Sequence, residues 1–76
     1  MTLSWRNTWI VKRRGRRWVV QRQDARAADS LHDHREDAVA RGLEISRNAG
    51  GRLRVKDQTG RVEQEFSFDD KRVASF

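Results

Sequence analysis

The chain has 76 residues, 36% hydrophobic and 37% charged, which describes one small domain with a thin core and no room for an enclosed substrate chamber. It contains no cysteine, which excludes disulfide staples, thiolate metal sites and cysteine nucleophiles and points to a reducing, cytoplasmic compartment. The net charge of +6 is lopsided: residues 1–26 hold eight basic groups against Asp24 alone, whereas residues 27–76 hold nine basic and ten acidic groups.

No apolar run approaches the roughly 20 residues of a membrane span, and no uninterrupted apolar stretch of a signal peptide opens the chain. Residues 1–7 read as an N-terminal extension, residues 8–68 as the domain and residues 69–76 as a C-terminal tail.

Residues 8–13 read as a strand, with Trp9, Ile10 and Val11 as β-favouring side chains. Gly15 supplies the turn, because it takes a positive φ without steric cost. Residues 17–22 return, with Trp18 and Val20 on one face and Val19 and Gln21 on the other. Residues 24–29 are polar and Ala-rich and carry no assigned element, and Ser30-Leu31-His32 suits a short extended piece. A helix then starts at Asp33, which stands at capping-box spacing from Glu36, or one residue later at His34 with Asp37. It runs to about residue 48. Ala38, Gly42, Ile45 and Ala49 form a stripe of mostly small residues flanked by Val39 and Ser46, so the helix can lie close on a sheet. Gly50-Gly51 reads as a left-handed helix stop. Residues 52–56 form a strand with Leu53 and Val55 on one face. Asp57-Gln58-Thr59-Gly60 makes a type I turn. Residues 61–68 form the partner strand, with Val62, Phe66 and Phe68 on one face and Arg61, Glu63, Glu65 and Ser67 on the other. The expected fold is α+β: a ββαββ unit in which an antiparallel sheet of two hairpins packs against one helix.

The order Trp18-x-Val20, Leu31-His32-Asp33, Ala38-Val39, Gly51-x-Leu53-x-Val55, Asp57 to Gly60-Arg61-Val62, then Ser67-Phe68 resembles the small bacterial family called Domain of Unknown Function 2188 over residues 8–68. The chain departs from the family pattern in three places. Arg17 stands where the family usually has Gly, His34 where it has Thr, and Phe68-Asp69 where it often has Tyr-Gly. The resemblance implies a compact α+β domain and carries no functional residue with it.

The sharpest site feature is Lys12-Arg13-Arg14-Gly15-Arg16-Arg17, five cations around one glycine turn. A two-stranded ribbon can enter a groove or lie along a phosphate backbone, and Arg adds bidentate phosphate contacts. Arg6 and Arg22 flank this cluster, and Trp5 offers a ring for base stacking. The competing reading is a solvated loop kept charged for solubility. Trp18 belongs in the core because it alternates with Val20, and Trp9 is a second core candidate. His32, Asp33, His34, Glu36 and Asp37 form the one His/carboxylate cluster, which helix capping explains more simply than a metal does. No nucleophile motif surrounds any Ser. Glu63 and Glu65 share the face opposite the Phe pair.

The sequence therefore predicts a non-enzymatic binding module with no cofactor, metal, membrane or small-molecule site. Its expected ligand is nucleic acid, without sequence specificity, held through Arg6, Lys12, Arg13, Arg14, Arg16, Arg17, Arg22 and Trp5. The alternative is a protein-interaction or homodimeric accessory domain. The first reading needs Arg13 to Arg17 and Arg22 on one continuous face. The second needs an exposed apolar patch of a few hundred Å².

Overall fold

The computed structural model describes residues 7–68. Trp5, Arg6 and residues 69–76 lie outside them. Strands β1 (Thr8–Arg14) and β2 (Arg17–Arg22) pair antiparallel from Trp9↔Arg22 to Arg14↔Arg17. Gly15 opens the two-residue loop at φ 63°, and among the described residues no non-glycine has a positive φ. A positive φ at the first loop position alone is the pattern of a type II′ turn, whose twist matches the strands it joins.

The expected antiparallel ββαββ sheet needs two corrections. First, Ser30–His32 is a full member, β3, paired antiparallel to β2 through Trp18↔His32, Val19↔Leu31 and Val20↔Ser30. The link before it is pinned at both ends: Gln23 N donates to Thr8 O (2.8 Å) and Asp29 N to Val20 O (2.6 Å). Second, the sheet is mixed. Its order is β3-β2-β1-β4-β5, and β4 (Arg52–Lys56) runs parallel to β1 from Thr8↔Arg52 to Val11↔Val55. The reason is the crossover. Two antiparallel pairings leave β3 running in the direction of β1, and helix α1 (Arg35–Ala49) carries the chain back over the sheet to start β4 in that same direction. The path moves three strand spacings sideways, about 14 Å, beneath a 15-residue helix about 22 Å long. Both expected hairpins are present, β1–β2 and β4–β5 (Val62–Ser67).

The core lies between α1 and one sheet face. Val11, Val20, Ala38, Leu53 and Val55 are buried there, flanked by Trp9, Trp18, Val39, Leu43, Ile45 and Phe66. Each buried aliphatic side chain contributes about 1.5–3 kcal/mol. Gly42 is where the helix approaches closest: a Cβ there would lie 2.8 Å from Leu53 Cδ1 and 3.2 Å from Val11 Cγ2. The buried stripe is Ala38, Gly42 and Ser46, with Ile45 half-buried and Ala49 exposed. Ser46 can occupy the centre because its hydroxyl donates to Gly42 O at 2.7 Å, so that hydroxyl is not left orphaned.

The helix start differs from the capping box. His34 is the N-cap, with extended φ −121° and ψ 143°, and its side chain makes no capping bond. Asp33 instead faces Arg17, 3.5 Å from its Nε. An unfilled cap of this geometry accepts a hydroxyl. His34→Thr should therefore raise stability by about 0.5–1 kcal/mol in urea unfolding, since a Thr oxygen would accept from the first-turn amides. No gain would show that another acceptor already serves them.

The last strand carries a bulge. Leu53↔Phe66, Arg54↔Glu65 and Val55↔Gln64 are in register, but Lys56 pairs with Val62, leaving Glu63 as the extra residue. One inserted residue flips the alternation beyond it. Phe66 thus faces the helix, whereas Val62 turns to the opposite face and is 49% exposed. The expected Val62/Phe66 face does not exist, and neither does the Glu63/Glu65 pair: Glu63 binds Arg35 on the helix side, and Glu65 binds Arg54 on the other.

The β4–β5 turn is closed by Asp57. Its carboxylate accepts from the Thr59 hydroxyl (2.6 Å), Thr59 N (2.8 Å) and Arg61 N (3.0 Å). The Thr59 hydroxyl first, and then the Arg61 amide, hold this carboxyl below the usual carboxylate range. A depressed folded pKa gives stability that is present above the unfolded value, about 3.9, and lost as pH falls through the folded value. Asp57→Ala should therefore destabilise the protein at pH 7, and the gap to the parent should narrow as pH drops below about 4. A pH-independent gap in urea midpoints would show that the ionised form is not what the turn uses.

Candidate functional site

Strand alternation divides the predicted cations between two faces. On β1, Trp9, Val11 and Arg13 point toward α1, and Thr8, Ile10, Lys12 and Arg14 point to the outer face, opposite the helix. On β2, Trp18, Val20 and Arg22 point toward the helix, and Arg17, Val19 and Gln21 point outward. The expected continuous face of Arg13 to Arg17 with Arg22 therefore does not form, because neighbours in a strand point in opposite directions.

The helix-side cations are engaged by the fold. Arg13 Nε donates to Gly15 O (2.9 Å) and its Nη1 to Gln58 Oε1 (2.8 Å), tying the two hairpin turns together. Arg22 stands 5.5 Å from the Trp9 ring centroid and 3.6 Å from Asp24. Arg35 lies 5.9 Å over Trp18 and is ion-paired with Glu63. Trp18, Arg35, Asp57, Gln58 and Glu63 line a shallow cleft of about 290 Å³, in which Arg35 pairs with Glu63 and Asp57 is taken up by its own turn. Trp9 and Trp18 are half-buried on this side.

The outer face is different. Because β4 lies beside β1, Arg52, Arg54 and Lys56 join Lys12, Arg14 and Arg17 there. These six cations share the face with Glu65, whose Oε2 lies 3.0 Å from Arg54 Nε. Arg17 has Asp33 at 3.5 Å. Lys12, Arg14 and Lys56 have no ion-pair partner among the described residues. Thr8, Ile10, Val19 and Gln21 form a buried strip between the charges. Arg16 is exposed at the loop tip.

Sequence reading missed Arg52, Arg54 and Lys56. Their signal is the alternation Arg52-x-Arg54-x-Lys56 against Leu53 and Val55, which assigns them to the face away from the core. What the sequence does not carry is that this face continues the hairpin's own. Of the His/carboxylate cluster, His32 Nε2 is 2.9 Å from Ser30 Oγ, and no group of three or more potential metal ligands occurs among the described residues.

The fold and site define a small α+β domain with one helix on a mixed five-stranded sheet and a cationic outer face. Residues 6–68 match the family described as an uncharacterized protein conserved in bacteria (DUF2188), and the chain belongs to it. No curated protein and no solved structure matches the chain. No helix among the described residues is long and apolar enough to cross a membrane.

Proposed function

We propose that this chain is a non-enzymatic module that contacts nucleic-acid phosphates through the outer face of its sheet. The site combines the outward cations of the first hairpin, Lys12, Arg14 and Arg17, with Arg52, Arg54 and Lys56. Arg16 reaches from the loop tip, and Arg6 and Trp5 precede the described residues. The observation that carries this reading is the parallel pairing of β1 with β4, from Thr8↔Arg52 to Val11↔Val55. It turns two separate basic segments into one surface. On β1 and β4 the cations recur every second residue, about 6.6 Å apart, a spacing comparable with that of successive phosphates along a nucleic-acid strand.

Binding of this kind is driven by counterion release and carries little sequence information. An apolar docking surface has less support. Among the described residues the exposed large hydrophobic side chains, Leu31 and Val62, sit on opposite edge strands, about 19 Å apart at four strand spacings. The test is fluorescence anisotropy of labelled nucleic acid across a salt series. About four neutralised phosphates give a slope of log K against log salt near −4 on duplex DNA. A slope near zero would falsify the proposal.

A further inference from the structure

Resting on that reading, we infer that the ligand of the outer face is double-stranded rather than single-stranded nucleic acid. Proteins that hold single strands without sequence preference stack bases on aromatic side chains laid along a basic groove. This sheet keeps its rings on the other side. Trp9, Trp18 and Phe66 pack against the helix-side core. The outward strand positions of the described residues are aliphatic, hydroxyl, amide or charged, and none is aromatic.

The cations also form a fixed two-dimensional array. Lys12 and Arg14 on β1 run alongside Arg52, Arg54 and Lys56 on β4, with rows about 4.8 Å apart. Such an array is complementary to the rigid, densely charged backbone of a duplex, whose condensed counterions return more free energy per contact than those of a single strand. The side-chain amide on this face, Gln21, donates to Ala25 O at 2.6 Å and is buried, so it does not read bases.

The experiment titrates the full chain against a labelled duplex of about twenty base pairs and against each of its separated strands, chosen to be unstructured, over a salt series. The duplex is expected to bind at least about tenfold tighter, the worth of one absent stacked base, and with the steeper salt slope. Equal or tighter binding of the single strands overturns the duplex assignment while leaving phosphate contact standing. Absence of binding to every ligand at low salt overturns both.

Discussion

Reversing two charges, in an Arg14→Glu/Lys56→Glu variant, is expected to weaken duplex binding by about a hundredfold near 0.1 M salt and to cut the salt slope from about −4 to about −2. The two positions lie on the same face, on β1 and β4. Neither has an ion-pair partner among the described residues, so the substitutions break no ion pair there. The parent protein should itself lose about a hundredfold in affinity between 50 and 200 mM salt, if four contacts each contribute about −0.9 to the slope. Arg13→Gln is the control. Arg13 stands beside Arg14 in sequence but points to the helix side, where it holds Gln58. Its loss should change affinity little and shift only stability. Equal effects at Arg13 and Arg14 would mean that the hairpin tip, and not the outer face, is the contact surface.

Gly51→Ala is expected to cost about 3 kcal/mol or more, lowering the melting temperature of a domain this size by about 12–24 °C. The cause is space. A Cβ at Gly51 would lie 2.0 Å from the Asn7 carbonyl oxygen and 2.6 Å from Asn7 Cβ, and the oxygen belongs to backbone that cannot swing aside. Asn7 immediately precedes β1 and Gly51 precedes β4, so the intrusion would part the two strands where their pairing begins, at Thr8↔Arg52. The adjacent Gly50 gives the contrast. It sits at φ 67° as the left-handed C-cap of α1, and nothing lies within 4 Å of a Cβ there. Gly50→Ala should cost only the backbone preference, about 1 kcal/mol. Urea unfolding of the two variants separates the mechanisms, and equal costs would refute the clash.

The two glycines illustrate how much of this protein is legible in its residues. Gly50 announces itself as a helix stop because a left-handed residue after a helical run is a local requirement. Gly51 looks like part of the same signal, but its role depends on Asn7, 44 positions away in the chain. The same division runs through the site. That Lys12, Arg14, Arg52, Arg54 and Lys56 oppose the core side chains of their strands follows from alternation. That they share one surface follows from the crossover.

Local chemistry was therefore enough for the two hairpins, the helix, its glycine stop and the Asp57 turn. Each depends on residues within a few positions of one another: a glycine at a positive φ, a carboxylate two residues before a hydroxyl, apolar side chains at a fixed period. Tertiary structure alone decided the parallel docking of β4 on β1, the bulge at Glu63 that turns Val62 outward, the unfilled cap at His34, and the parting of Arg13 and Arg22 from the outer cations. These outcomes arise from competition for shared partners, such as an open strand edge, a core that accepts Phe66 before Val62, or an aspartate drawn to Arg17. The energies that settle such competition come from contacts between residues far apart in the chain, which local periodicity and propensity do not register.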